Sequence, residues 1–155
     1  MGPEPFGEQL LQLQRQAQQD ISGANRAGFG GGFSPAVYTS FASPFLDHCT
    51  LQNNLAGGIA GSSPANVTTR ITNNTFINHG GNVIQVNHSR EGTNTVVIAD
   101  NVISGISGGG RGIQVGGGSS TNVINLTATV VDNTISDGSY GIYIYSSSAL
   151  GGTYT

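Results

Sequence analysis

Lysine and tryptophan are absent from this chain, cysteine occurs once, and charged residues are only 8% of its 155 positions. Each shortage removes a class of protein. Five arginines scattered along the sequence and a net charge of −3 form no basic stripe able to neutralise a run of phosphates, so nucleic acid is not an expected partner. The lone Cys49 allows neither an internal disulfide nor a cysteine-based zinc site, and it reads as a small buried residue. No apolar run approaches the roughly 20 residues that a membrane span needs. The opening MGPEPFGEQ puts an acid before any base and has no apolar core of a signal peptide, and Gly2 lacks the downstream Ser or Thr of a myristoylation motif. An apolar share of 36% is too small for a broad, round core. No cofactor or metal is implied.

What the chain has instead is glycine, at 25 positions, together with abundant Asn, Ser and Thr. Such a composition suits either disorder or a repeat fold of turns and stacked strands, and the pattern decides. A tetrad of Asn or Asp, then Asn, any residue, then an apolar residue recurs as Asn53-Asn54-Leu55-Ala56, Asn73-Asn74-Thr75-Phe76, Asp100-Asn101-Val102-Ile103 and Asp132-Asn133-Thr134-Ile135. Leu51, Ile71, Ile98 and Val130 precede the central Asn by three residues, and Cys49, Thr69, Val96 and Ala128 lie two further back, the alternation of a strand with one buried face. A second strand follows each tetrad after a glycine, with Ile59, Ile84, Ile113 and Ile142 pointing inward and Val86, Val115 and Ile144 one pleat further on. The steps between these Ile residues are 25, 29 and 29, and between the central Asn residues 20, 27 and 32. Loops of variable length on a regular wall account for such steps.

A period of this size, with two or three short strands separated by Gly and Asn turns, is one coil of a parallel β-helix. The expected fold is all-β, a right-handed parallel β-helix of about four coils from residue 33 to 155, with residues 46 to 155 carrying the repeats. Asn54, Asn74, Asn101 and Asn133 then form a ladder at one turn, where Asn tolerates left-handed backbone and its amide bonds to the next Asn in the stack. Hairpin turns every 8 to 12 residues, required by an antiparallel sandwich, are not seen, and the leucines and helical return of a leucine-rich repeat are missing. On these four repeats the sequence resembles the right-handed parallel β-helix proteins of the pectate-lyase-like superfold. It lacks the motifs of that family's enzymes: there is no Gly-His-Gly, no Asp-Asp pair and no base clustered with acids.

Residues 1 to 32 form a separate segment. Leu10, Leu13, Ala17 and Ile21 fall on one face of a helix expected over Glu8 to Ile21, placed to cover the first coil, and Gly28 to Gly32 is a joint without the Gly-Lys-Ser/Thr of a phosphate loop. No comparable lid is expected at the C-terminal end, Gly151 to Thr155, and three explanations of the strand edge this exposes stay open: a longer chain continues it, another subunit stacks on it, or the final loop folds over it.

The first positions of the tetrads, Asn53, Asn73, Asp100 and Asp132, would form one column, and its candidate catalytic residues are Asp100 and Asp132, which one coil apart would stand side by side as paired carboxylates for glycoside hydrolysis. Turns of this kind also want Asp or Asn for backbone reasons, and that structural reading is preferred. His48, His79 and His88 have different offsets from the tetrad and read as surface residues, Arg70, Arg90 and Arg111 as solvated loop positions. Tyr143 and Tyr145 alternate with Ile142 and Ile144, so they face outward; with Tyr154 they are the interface candidates. Four Asn-X-Ser/Thr triplets, at Asn66, Asn73, Asn87 and Asn125, matter only in an exported protein. The functional expectation is a structural or interaction module that associates with itself end to end in an extracellular or cell-surface fibre, adhesin or phage appendage. The alternative is a carbohydrate-active or glycan-binding β-helix.

Overall fold

The computed structural model describes residues 20–22, 35–40, 42, 44–63, 66–88, 90–117, 124–146 and 150–154. They form fifteen strands: β1 Asp20–Ser22, β2 Val37–Ser40, β3 Phe45–Asp47, β4 Thr50–Asn54, β5 Ile59–Ser63, β6 Thr68–Thr72, β7 Thr75–His79, β8 Ile84–His88, β9 Gly92–Ala99, β10 Val102–Ile106, β11 Arg111–Gly117, β12 Ile124–Val131, β13 Thr134–Ile135, β14 Tyr140–Ser146 and β15 Leu150–Tyr154. Every third strand belongs to the same sheet. The first sheet runs β1-β4-β7-β10-β13, the second β2-β5-β8-β11-β14 and the third β3-β6-β9-β12-β15, and all pairings are parallel. This is the expected all-β parallel solenoid. Three complete coils, β4–β6, β7–β9 and β10–β12, lie between the layers β1–β3 and β13–β15.

Strand alternation makes the interior. In β8 every second residue is buried, Ile84, Val86 and His88, and Ile59, Ile84 and Ile113 stack in register with essentially no exposure. Leu51, Phe76 and Ile103 form the matching stack of the first sheet, and Ile71 and Ile98 that of the third. Fully burying one such side chain contributes about 1.5–3 kcal/mol, so the narrow core is built by repetition where composition could not supply breadth.

The corner from the third sheet to the first is the most regular part of the molecule. Two residues make it each time: His48-Cys49, Asn73-Asn74, Asp100-Asn101 and Asp132-Asn133. The first of each pair has left-handed backbone, φ 52°, 56°, 56° and 53°, a conformation that Asn and Asp adopt more readily than other side-chain-bearing residues. The second faces the interior. The Asn101 backbone N–H donates to Asn133 Oδ1 (3.1 Å), as its amide Nδ2 does (2.9 Å); Nδ2 also donates to the carbonyls of Ile71 (2.9 Å) and Ala99 (3.0 Å). Asn74 repeats the pattern one layer on, donating from N and Nδ2 to Asn101 Oδ1 at 3.0 Å each.

Three expectations are corrected here. The first rung of the ladder is Cys49, whose N–H donates to Asn74 Oδ1 at 2.9 Å; Asn54 stands instead opposite His79 and Ile106 in the first sheet. Asn53 likewise leaves the Asp100 and Asp132 column, which contains His48 in its place, and joins a second left-handed column with Asn78, Gly105 and Asp137. The tetrad at Asn53 matches in letters because both columns need a left-handed turn residue. The expected helix to Ile21 is also corrected at its end, since Asp20–Ser22 is a strand paired with Thr50–Gln52; residues 8–19 and the glycine joint lie outside the described residues.

Candidate functional site

The side chains that converge outside the core lie on the outer face of the second sheet. Register aligns Gln85 with Gln114 and Gln114 with Tyr143, and, two residues on, Asn87 with Gly116 and Gly116 with Tyr145. These positions alternate with the inward Ile84, Val86, Ile113 and Val115, which is why they face solvent. Asn82 enters from the corner before β8, and Arg111 from the first position of β11. Asn82 Nδ2 donates to Gln85 Oε1 (3.0 Å) and Gln114 Oε1 (2.9 Å), its Oδ1 accepts the Arg111 backbone N–H (3.2 Å), and Arg111 Nη1 donates to Gln114 Oε1 at 2.7 Å. One amide oxygen therefore fixes two neighbours, and Gln114 is buried although it faces outward.

Aromatic residues complete the face. The Arg111 guanidinium lies 4.1 Å from the centre of the Tyr143 ring and 5.7 Å from that of Tyr140, within cation–π range. The Tyr143 and Tyr145 rings are 5.8 Å apart at 27° to one another. Tyr145 reaches back across the sheet, donating its hydroxyl to Asn87 Oδ1 at 2.8 Å. Gly116 makes this possible: a Cβ there would lie 2.6 Å from Tyr145 Cδ1 and 2.7 Å from Cε1. Burial against the sheet raises the Tyr145 phenol above its ordinary pKa, with the neighbouring Gln114 amide acting the other way. Arg111 is thus part of a packed face and not the solvated loop position expected of it.

The candidate acids do not join this face. Asp100 and Asp132 occupy adjacent layers of the left-handed corner, both exposed. At the first layer of that corner Asp47 accepts the Thr72 hydroxyl (2.6 Å), the Asn73 amide (2.9 Å) and a contact from His48 Nδ1 (2.8 Å). The Thr72 bond, then that of Asn73, hold its pKa down at about 2. His79 and His88 correct their surface reading, for both are fully buried. His79 Nε2 lies 3.0 Å from the Leu51 carbonyl, while neither ring nitrogen of His88 has a partner. Burial lowers the pKa of both, that of His88 to about 4. A histidine at an inward strand position, alternating with Ile84 and Val86, was the available sign. Among the described residues no three His, Cys, Asp or Glu side chains gather as a metal site, and no helix is long and apolar enough to cross a membrane. The Tyr154 side chain lies outside the described residues.

The outer face of the second sheet therefore carries rings, amides and one cation. Comparison of the chain with known protein families, with characterised proteins and with solved structures finds no match.

Proposed function

We propose that this chain is a structural and interaction module, a right-handed parallel β-helix of the pectate-lyase-like superfold, that stacks end to end with further copies of itself. One observation carries the reading. Ile142 and Ile144 stand in register with Ile113 and Val115, which are fully buried, yet are themselves 49% and 40% exposed, because among the described residues the layer β13–β15 has a neighbour on one side only. A strand edge with apolar inward side chains is a template for another strand. The opposite layer has the same three-sheet cross-section, with Tyr38 65% exposed in the outward column that Tyr143 completes. A copy added in the existing register sets its Tyr38 beside Tyr143. Such a contact is head to tail and propagates into a filament when the rotation does not close. A fibre, adhesin or appendage at a cell or virion surface is the setting that suits a low-charge exterior of Asn, Ser, Thr and Gly. The enzymatic form of the carbohydrate reading rests on Asp100 and Asp132, and the left-handed corner accounts for both without catalysis.

Light scattering over a concentration series tests the stacking, with electron microscopy of the same samples. The expected result is a mass that grows above 15.8 kDa with concentration and returns to one chain in Ile144→Asp. A single-chain mass at every concentration would overturn the reading.

A further inference from the structure

We infer that the asparagine ladder continues across the joint between stacked copies, with the Gln19 amide of the incoming copy as the acceptor for Asn133, so that one rung sets the register and polarity of assembly. The inference rests on the stacking reading and names the residue of the second copy that completes its interface.

The ladder has a direction. Each rung gives its backbone N–H to the side-chain amide oxygen of the next layer: Cys49 to Asn74 Oδ1 (2.9 Å), Asn74 to Asn101 Oδ1 (3.0 Å) and Asn101 to Asn133 Oδ1 (3.1 Å). Asn133 spends its Nδ2 on the Ile98 and Val131 carbonyls, and among the described residues nothing accepts its N–H. The three rungs before it send the same N–H to the next layer. The described ladder therefore ends on a half-buried donor that faces the open side of the last layer, and leaving such a group unmatched is unfavourable.

Register supplies the acceptor. Every rung stands one residue before a strand of the first sheet: Cys49 before Thr50, Asn74 before Thr75, Asn101 before Val102 and Asn133 before Thr134, and these four strand residues are in register. Strand β1 belongs to the same series, with Asp20 opposite Thr50. The residue before Asp20 is Gln19, a carboxamide like Asn with one more methylene of reach. In a head-to-tail stack β1 of the second copy lies against β13 with its Asp20 opposite Thr134, and its Gln19 takes the rung after Asn133. A copy thus offers a donor at one end of the ladder and an amide oxygen at the other. Head-to-tail contact pairs the two, whereas tail-to-tail contact sets donor against donor, which selects the polarity.

Two further features agree with this register. It places Ile21 of the second copy next in the inward series Leu51, Phe76, Ile103, Ile135, and Val37 next in the series Ile59, Ile84, Ile113, Ile142, so apolar positions meet through the joint. Strand β15 pairs with Ile124–Ala128, so among the described residues no strand covers the edge of Thr129–Val131, and Val131 is 40% exposed. That open edge leads into the Asp132-Asn133 corner, and the residues before Gln19 reach the rung along it.

The test follows hydrogen exchange of the Asn133 amide in the full chain beside the mass from light scattering. In the native sequence, protection of Asn133 is expected to rise with concentration together with the mass. Gln19→Leu, similar in size but without the acceptor, should weaken assembly about tenfold and leave the Asn133 amide unprotected in the assemblies that still form, while Gln19→Asn keeps both. Circular dichroism of each variant checks that the coils are folded. Growth in mass with Asn133 unprotected, or native assembly by Gln19→Leu, would overturn the inference and leave stacking in place. Protection of Asn133 in the single-chain variant Ile144→Asp would also overturn it, since the acceptor would then lie within the chain. A native mass that stays at one chain would overturn both.

Discussion

Ile113 and Ile142 are the same residue at the same register position on neighbouring strands, one fully buried and the other 49% exposed. The same contrast separates Asn101 from Asn133: the first is sealed and bonded above and below, while the second donates to the Ile98 and Val131 carbonyls, 2.8 Å each, and is half-buried. A residue's burial is therefore not set by its coil's sequence alone. What sets it is having a neighbour on both sides, as in any solenoid whose energy is a sum of nearest-neighbour terms. The outermost layer contains a core in waiting, and function is proposed where that core and the aromatic face meet.

The largest test of this contrast is the ladder. Asn101→Ala removes the acceptor of two Asn74 bonds and the donor to Ile71, Ala99 and Asn133, leaving several buried groups unsatisfied. A cost of about 4 kcal/mol is expected in urea unfolding, against about 1 kcal/mol for Asn133→Ala. Equal costs would break the neighbour account. Next comes the core pair: Ile113→Ala should cost about 3 kcal/mol and Ile142→Ala less than about 1 kcal/mol in dilute protein. The second figure should rise with protein concentration as stacking buries Ile142.

The buried histidine ranks third. The folded-state pKa of His88, about 4, lies below the ordinary 6.5, so between these values the unfolded chain binds a proton that the folded chain refuses. Its neutral form is fully accommodated above pH 6.5; stability then falls as pH drops and levels near pH 4, by on the order of 3 kcal/mol. Unfolding curves from pH 7.5 to 4 should show this slope, reduced in His88→Leu. The smallest effects concern the left-handed corner. Asp100→Asn should alter stability by less than about 0.5 kcal/mol, whereas Asp100→Val, forced into a conformation hostile to β-branched residues, should cost about 1–2 kcal/mol. A large loss in Asp100→Asn would give that carboxylate a role the backbone does not explain.

The coil was legible in the sequence because burial writes itself as alternation. Ile59, Ile84, Ile113 and Ile142 are in register as their flanking glycines suggest. The Asn ladder was legible from Asn74 onward. Its first rung was not, since Cys49 donates through its backbone and needs no amide of its own. The step of 20 residues from Asn54 to Asn74 was the clue, for the true step of 25 from Cys49 equals that from Ile59 to Ile84. The outward direction of Tyr143 and Tyr145 followed from alternation, but their assembly with Arg111, Asn82, Gln85 and Gln114 did not. Their contacts across layers span 29 or more positions, as in the Arg111 to Asn82 bond, and only the register of parallel strands brings them together.

Hydrogen exchange of the β14 amides, Tyr140–Ser146, against protein concentration tests the role of the outermost layer most directly. Alternate amides of this strand point away from β11 and gain a partner only from an added strand. The account predicts that their protection rises with concentration while that of β8 and β11 stays constant, and that Ile144→Asp abolishes the rise. Protection of β14 that is independent of concentration, or already equal to that of β11 in the single chain, would contradict it.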